Sequence, residues 1–266
     1  VFPIYKEASY TCAAGYDRVS DSTANDGIDD LTLPMLCRTA RFATINGPIQ
    51  QVASRKAGKH PCYPATGDTA RAEPDFAFAG RTFTRHYHSL HQFRTSVGFA
   101  VGWTHTFGDR IFGVPGGSPA ALVDETGTYE SFVLIGTHRY RGENSTDTVL
   151  ESSSSGTVRW RLRRAGGEIR EFDKDGFLLK IVNPADPRVD ATLTYLRDPS
   201  LDYPNGLLST VTDGQGRKLK FEYSAAKLLS YLRLPDGTSI GYDYDADRNL
   251  TSVDYGGGRI KQYHYA

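Results

Sequence analysis

The sequence is poor in the features that several protein classes require. It has one methionine and three cysteines in 266 residues, and no two cysteines form the C-x-x-C pair typical of zinc and redox sites. No apolar run approaches the roughly 18 residues of a membrane span. Basic and acidic residues both number 31, so no net charge attracts nucleic acid. The sequence therefore predicts neither a membrane span nor a nucleic-acid partner, and no cofactor or metal.

What is abundant points to β structure. The chain has 16 tyrosines, 13 phenylalanines and 27 glycines, and few stretches keep the 3.6-residue apolar period of a helix. In "RKLKFEYS" the residues Leu219, Phe221 and Tyr223 alternate with charged ones, which is the pattern of a half-buried strand. Glycine-rich turns such as "DGQG" separate the strands, and "ADRN" offers aspartate and asparagine for the same purpose. We expect an all-β meander of short antiparallel hairpins.

The last part of the chain repeats without gaps at a period of 21 residues. Several columns agree, which makes chance a poor explanation. The repeat-defining positions are Gly216, Gly237 and Gly258, Tyr223, Tyr244 and Tyr265, and Phe221, Tyr242 and Tyr263. Because tyrosine faces inward only where its hydroxyl finds a partner or water, this tyrosine face is expected to be wet, and packing within the sheet is favoured over the stacking of sugar rings.

Three zones follow one another along the chain. Residues 1–58 are irregular and contain cysteine, residues 59–117 are rich in aromatic residues and histidine, and residues 118–266 are short strands and turns. The chain begins at Val1 with neither an initiator methionine nor a signal peptide, as a processed secreted chain or an excised segment would. Secretion favours a disulfide between Cys12 and Cys37 across a polar, loop-like segment. Three reduced cysteines are the alternative, and the role of Cys62 stays open.

Two stretches, "KFEYSAAKLLSYLRLPDG" and "GYDYDADRNLTSV", resemble the YD repeats of bacterial RHS proteins. The stretch "HPCYPATGDTARAEPDFAFAGRTFTRHYHSL", followed by "VGWTHTFGDRIF", is similar to the region that precedes those repeats. The matching positions are Pro64, Thr66, Gly67, Asp75, Arg85, Tyr87, Ser89, Gly102, Trp103 and His105. The resemblance spans residues 59–266 and leaves the cysteine-bearing start outside it.

The resemblance implies a curved, open β-strip that acts as a shell fragment or extracellular assembly unit, on the cell surface or secreted from a bacterium. An enzyme is not expected, because the sequence offers no convergent acid, base or nucleophile. The implied partners are other copies of the chain or the rest of a larger RHS protein. The few repeats here cannot close a shell, and no toxin domain follows them. The alternative function is a glycan-binding or adhesion module that uses the tyrosine-lined face.

Candidate chemical sites have ordinary structural interpretations. His86 and His88 share a strand face with the spacing of metal ligands, and His91 lies nearby, but no carboxylate or thiol accompanies them. A hydrolytic triad lacks the strand and helix context that a nucleophilic serine needs, and the carboxylates that might pair lie in turns or on solvent faces. These candidates are Ser89, His105 and Asp109 for the triad, and Asp124, Glu125, Asp243 and Asp245 for the carboxylates.

Two further patterns concern the surface. Arg159, Arg161 and Arg163 share one strand face, which favours a solvated edge strand over a patch for phosphate or acidic glycans. Asn144 and Asn249 fit the glycosylation sequon.

The final strand, "RIKQYHYA", raises the question of what pairs with its outer edge. The hypothesis is β-augmentation, either by the apolar segment 1–11 of a neighbouring copy, which generates filaments, or by further repeats. The competing interpretation is that residues 1–11 fold back onto their own sheet.

Overall fold

The computed structural model describes residues 68–89, 98–143, 148–197 and 206–265, and three short strands before them. These residues form strands and turns, with a single 3₁₀ turn at Pro187–Val189. The strands are β1 (Tyr16–Arg18), β2 (Cys37–Thr39), β3 (Cys62–Tyr63), β4 (Asp68–Phe78), β5 (Arg81–His88), β6 (Trp103–His105), β7 (Arg110–Phe112), β8 (Ala120–Val123), β9 (Tyr129–Gly136), β10 (Arg139–Gly142), β11 (Val149–Ser152), β12 (Trp160–Arg163), β13 (Ile169–Phe172), β14 (Leu178–Val182), β15 (Ala191–Arg197), β16 (Gly206–Asp213), β17 (Lys218–Tyr223), β18 (Leu229–Arg233), β19 (Ser239–Tyr244), β20 (Leu250–Asp254) and β21 (Ile260–Gln262).

The architecture is an uninterrupted antiparallel meander. Strands β7 to β21 form one 15-stranded sheet in which each strand pairs with its neighbours in sequence, and this sheet is not closed. A four-stranded sheet has the order β3-β4-β5-β6. The predicted all-β hairpin meander is confirmed. No helix among the described residues is long and apolar enough to cross a membrane.

The strands form where the sequence alternates. In β17, Leu219 and Phe221 are buried while Lys218, Lys220 and Glu222 are exposed, as the two-residue period predicts. Strand β19 repeats the pattern with Ile240 and Tyr242 buried. One face of these strands therefore builds the core, and the other carries charge to water.

The turns use one recurring geometry. The Asp213 carboxylate accepts hydrogen bonds from the amides of Gln215 and Arg217, at 3.0 and 2.8 Å, and Gly216 has a φ of +81°. Gly237 and Gly258 have the same left-handed conformation, as expected. In "ADRN", however, the left-handed residue is Arg248, at φ +67°. Asp247 and Asn249, the residues expected there, instead donate their backbone amides to the Asp245 carboxylate, each at 2.9 Å.

The large sheet curls until its first strand meets a later turn. The amide of Ile111 in β7 donates to the carbonyl of Gly176 at 3.0 Å, and Arg110 forms an isolated bridge with Phe177. This turn joins β13 to β14, so β8 to β13 lie between the two contacting backbones along the sheet. A flat sheet would keep these segments far apart because adjacent strands are about 4.8 Å apart.

Strand β5 lies across the inner face of the large sheet. Arg81 donates to the carbonyl of Val189 at 2.7 Å, the Phe83 and Phe221 ring centroids are 6.4 Å apart, and Tyr87 meets Tyr265 edge-on at 6.1 Å. Successive inward residues thus contact progressively later parts of the chain. One core joins residues from zones 59–117 and 118–266.

The arginine-rich strand β12 is an interior strand and not the edge strand that its charge favoured. It pairs with β11 and with β13. Arg161 is neutralised across the ladder by Glu171, at 2.7 Å, and Arg163 is 3.9 Å from Glu151. Alternating charge across neighbouring strands, which a single segment cannot reveal, makes pairing favourable here.

The cysteines belong to the first part of the chain. Cys37 begins β2, which pairs with β1 inside the segment predicted to be irregular, and Cys62 begins β3. Cys12 lies outside the described residues, so the Cys12–Cys37 disulfide stays a prediction.

Candidate functional site at the open edge of the sheet

The outer side of β21 is the open edge of the 15-stranded sheet. The amide of Tyr255 donates to the carbonyl of Arg259, and that of Tyr263 to Thr251, both at 2.9 Å. Val253 lies opposite Lys261 in the same register. Because hydrogen-bonded and non-hydrogen-bonded pairs alternate in an antiparallel ladder, the backbone groups of Ile260 and Gln262 point away from β20. Within the described ranges, no strand pairs with this side.

Side chains of β4 hold the open strand from one face. Lys261 forms an ion pair with Glu73, which also binds Arg71. Burial raises the pKa of Glu73, but the hydrogen bond from Lys261 and the charge of Arg71 outweigh it and lower that pKa overall. The Arg71 guanidinium lies over the Tyr263 ring at 5.3 Å, whereas Ile260 is 58% exposed. The strand is thus anchored while its edge stays accessible.

Behind the edge is a buried ionic cluster of Arg85, Asp75, Tyr255 and Tyr263, here called the Arg85 cluster. Arg85 makes two hydrogen bonds to Asp75, at 2.7 and 3.0 Å, and donates to the hydroxyls of Tyr263 and Tyr255 at 3.0 and 2.9 Å. Tyr255 in turn donates to Asp75 at 2.6 Å. Burial lowers the pKa of Arg85, but the hydrogen bonds and the charge of Asp75 outweigh this effect. The pKa is raised overall, so the guanidinium stays charged. The cluster ties the β4–β5 hairpin to the last two strands.

Most hydroxyls of the tyrosine columns bond to protein groups. Hydroxyls of successive tyrosines donate to a main-chain carbonyl earlier in the meander: Tyr195 to Leu178, Tyr223 to Leu208 and Tyr244 to Leu229, at 2.8, 2.7 and 2.7 Å. The hydroxyl of Tyr265 accepts from the Trp103 indole at 3.0 Å. Tyr242 and Tyr263 are buried. The sequence could not show that β4 to β6 cover this face. The buried Tyr242 hydroxyl has no hydrogen-bond partner among the described residues.

The matched positions of the aromatic zone lie mostly in this covering layer. Trp103 packs against Tyr263 at 5.3 Å and against Tyr87 at 5.2 Å. His105 lies 5.7 Å from the Phe221 ring, and burial lowers its pKa to about 3, which keeps it neutral. Three further positions, Pro64, Thr66 and Gly67, lie outside the described residues.

The structure does not assemble a hydrolytic triad. Ser89 accepts from the Thr69 amide at 2.9 Å, His105 accepts from the Phe107 amide at 3.2 Å, and Asp109 pairs with Arg170. Each side chain has a different partner and a different structural role. His86 and His88 share a face of β5, but no group of three metal-binding side chains occurs in the part of the chain that the structure describes. His91 lies outside that part.

A second buried ionic group escaped sequence reasoning. Arg170 on β13 pairs with Asp109, Glu125 and Glu168. Burial raises the pKa of Asp109. Asp109 and Glu125 are 61 and 45 positions away from Arg170 in the sequence, so no local pattern links them to it, whereas Glu168 is its near neighbour. Asp124 instead caps its own turn through the Thr126 and Thr128 amides.

The remaining polar candidates have local roles. Asp243 accepts from the Ser252 hydroxyl at 2.7 Å. Asn249 donates to Asp245 at 2.8 Å. Arg159 donates to the carbonyl of Ser153 at 2.6 Å. Asn144 lies outside the described residues.

Comparison with known proteins finds a family match in the first half of the chain. Residues 59–132 match a family model described as a domain of unknown function, DUF6531. No curated protein matches the chain. The matched stretch includes β4, β5 and β6, and with them Arg85 and Asp75. The chain is therefore similar to that family over the layer that holds the open strand.

Proposed function

We propose that the chain is a non-enzymatic scaffold of the RHS type, a shell fragment or extracellular assembly unit that extends by strand pairing at β21. The observation that carries the proposal is the open outer edge of β21 at the end of an uninterrupted meander. Edge strands present unpaired backbone donors and acceptors that template another strand. The candidate side chains Ser89, His105 and Asp109 do not converge on one site, so they do not support an enzyme.

We further propose that the 21-residue YD-type repeat is the unit of extension. In its support, β17, β19 and β21 begin at Lys218, Ser239 and Ile260, and β18 and β20 begin at Leu229 and Leu250. The tyrosine bonds from Tyr223 and Tyr244 recur at the same positions of consecutive units. Because each unit repeats the same strand pairing, it presents the same unpaired backbone edge to the next unit.

The added strand is either residues 1–11 of a neighbouring copy or a further repeat. A heterologous contact of this kind does not close and gives head-to-tail assemblies. The proposed setting is the bacterial cell surface or secretion, with Cys12 and Cys37 linked. Mass spectrometry of non-reduced peptides reads that link directly.

The test uses the direction of the edge amides. A Gln262→Pro change removes an outward amide without removing a β20–β21 ladder bond, and proline is tolerated at such edge positions. Gln262→Ala keeps the amide and is the matched control. In sedimentation at rising concentration, the parent and Gln262→Ala proteins are expected to associate, and Gln262→Pro is expected to stay monomeric.

Two results would overturn the version in which residues 1–11 of a neighbouring copy pair with β21. One is a parent protein that stays monomeric at high concentration while the Ile260 and Gln262 amides exchange hydrogen as fast as an unstructured peptide. The other is association that Gln262→Pro leaves unchanged. A glycan array tests the alternative binding module, which has less support because the tyrosine hydroxyls already bond to protein groups.

A further inference from the structure

A pocket of about 400 Å³ lies where β10 and β12 begin and β11 ends, away from the open edge. This volume is within the range of small-molecule sites. Its lining includes His138, Arg139, Ser152, Arg159, Trp160 and Arg161. The proposed scaffold role uses none of these side chains.

The lining carries excess positive charge. Of its three arginines, Arg161 is bound to Glu171 at 2.7 Å. Arg159 donates its Nε to the Ser153 carbonyl at 2.6 Å, which leaves its two terminal nitrogens uncommitted by that bond. No carboxylate among the described residues forms an ion pair with Arg139 or Arg159. The single acid in the lining, Glu151, lies 3.9 Å from Arg163.

The other polar groups of the lining also have hydrogen to donate. The Ser152 hydroxyl oxygen accepts from the Gly116 amide at 3.0 Å and lies 2.9 Å from His138 Nδ1. Either atom of this pair can be the donor, because the hydroxyl oxygen has two acceptor sites and the imidazole has two neutral tautomers. The indole nitrogen of Trp160 is buried and has no hydrogen-bond partner among the described residues. Buried donors without acceptors are rare in native structures.

We infer that this pocket binds an oxyanion, a carboxylate or phosphate group of a small ligand. The uncommitted groups are guanidinium and indole N–H donors, which an oxyanion satisfies with both charge and acceptor oxygens. Val158 and the Trp160 ring supply an apolar wall beside them.

The two tryptophans of the chain allow a test with an internal control. Inorganic phosphate and acetate are titrated separately at constant ionic strength while the two indole N–H resonances are followed by NMR. The Trp160 resonance is expected to shift and saturate with at least one of the two anions. The Trp103 resonance, already bonded to Tyr265, is expected to stay in place. Which anion binds more tightly distinguishes phosphate from carboxylate.

Variants separate the pocket from the general surface. Arg139→Gln is expected to weaken binding about tenfold or more, as for loss of a charge-assisted bond. Arg233→Gln, on β18 and outside the lining, is expected to leave binding unchanged, because its partner Glu222 is also outside the lining. The inference fails if neither anion shifts Trp160, if Trp103 shifts equally, or if both variants weaken binding alike. None of these measurements depends on self-association at β21.

Discussion

At the scale of the residue, the fourth position of each tight turn is the most constrained. Gly167, Gly176 and Gly216 have φ values between +76° and +81° there, and Lys227 and Arg248 adopt the same conformation at +60° and +67°. A residue with a Cβ loses roughly 1–2 kcal/mol in this region. The turn at residues 164–168 contains two adjacent glycines, Gly166 and Gly167, that both face open space. Only Gly167 has a left-handed backbone, so substituting each in turn measures the backbone strain without steric crowding.

We predict that Gly167→Ala lowers the free energy of unfolding by about 1–2 kcal/mol, because Gly167 has a φ of +81° with open space around it. Gly166→Ala is the matched control, since Gly166 also faces open space but lacks the left-handed conformation. That change is expected to be neutral or stabilising by up to about 1 kcal/mol. Denaturant unfolding measures both, and equal effects of the two changes would contradict the prediction.

At the scale of the element, the β4–β5 hairpin connects the β12–β13 turn with the last two strands of the large sheet. Arg81, the first residue of β5, binds Glu168 in that turn, and Arg85 binds Tyr255 and Tyr263 beside β20 and β21. A buried pair is strongly destabilising when one partner is removed, because the other charge remains desolvated. An exposed pair of the same chemistry contributes little.

We predict that Arg85→Met destabilises the protein by about 3–5 kcal/mol, since it leaves Asp75 buried without its cation. Arg233→Met is the control: Arg233 also makes two bonds to a carboxylate, Glu222, but both side chains are exposed. The midpoint of thermal unfolding is expected to fall sharply for the first variant and to stay near the parent value for the second. Similar midpoints for the two variants would contradict the role assigned to the Arg85 cluster.

At the scale of the whole molecule, the tyrosines make stability depend on alkaline pH. Burial raises the pKa of Tyr265 to about 12, and it raises those of Tyr195, Tyr223, Tyr242 and Tyr244 further. An unfolded tyrosine ionises near pH 10. Above that pH the unfolded state loses protons that the folded state keeps, so the free energy of unfolding falls as pH rises.

We predict that these tyrosines give the free energy of unfolding no pH dependence near neutral pH. Above about pH 10 the free energy of unfolding is expected to fall by about 1.4 kcal/mol per pH unit for each buried tyrosine. Phenolate absorbance and circular dichroism are expected to change together for these residues. Tyr244→Phe is the comparison: it is less stable than the parent at neutral pH because its bond to Leu229 is lost, and the deficit shrinks above pH 10. Full phenolate absorbance with an intact β spectrum would contradict this.

The sequence by itself determined the local structure, because strand alternation and turn chemistry act between near neighbours. Leu219 and Phe221 face inward because the period of a strand is two residues, and Gly216 adopts positive φ because glycine has no Cβ. It also pointed to the edge at residues 260–262. Only the strand register showed that the Ile260 and Gln262 amides point outward.

Only the tertiary structure decided what covers each face, because those contacts depend on how the sheet curves. Arg85 meets Tyr263 across 178 positions of the chain, and Arg170 meets Asp109 across 61; no periodicity links such residues. The same curvature covered the tyrosine face and brought β7 to the β13–β14 turn, and the antiparallel register made β12 an interior strand. Local patterns specify which side of a strand is apolar, whereas the accumulated twist and bend of many strands decide what packs against it.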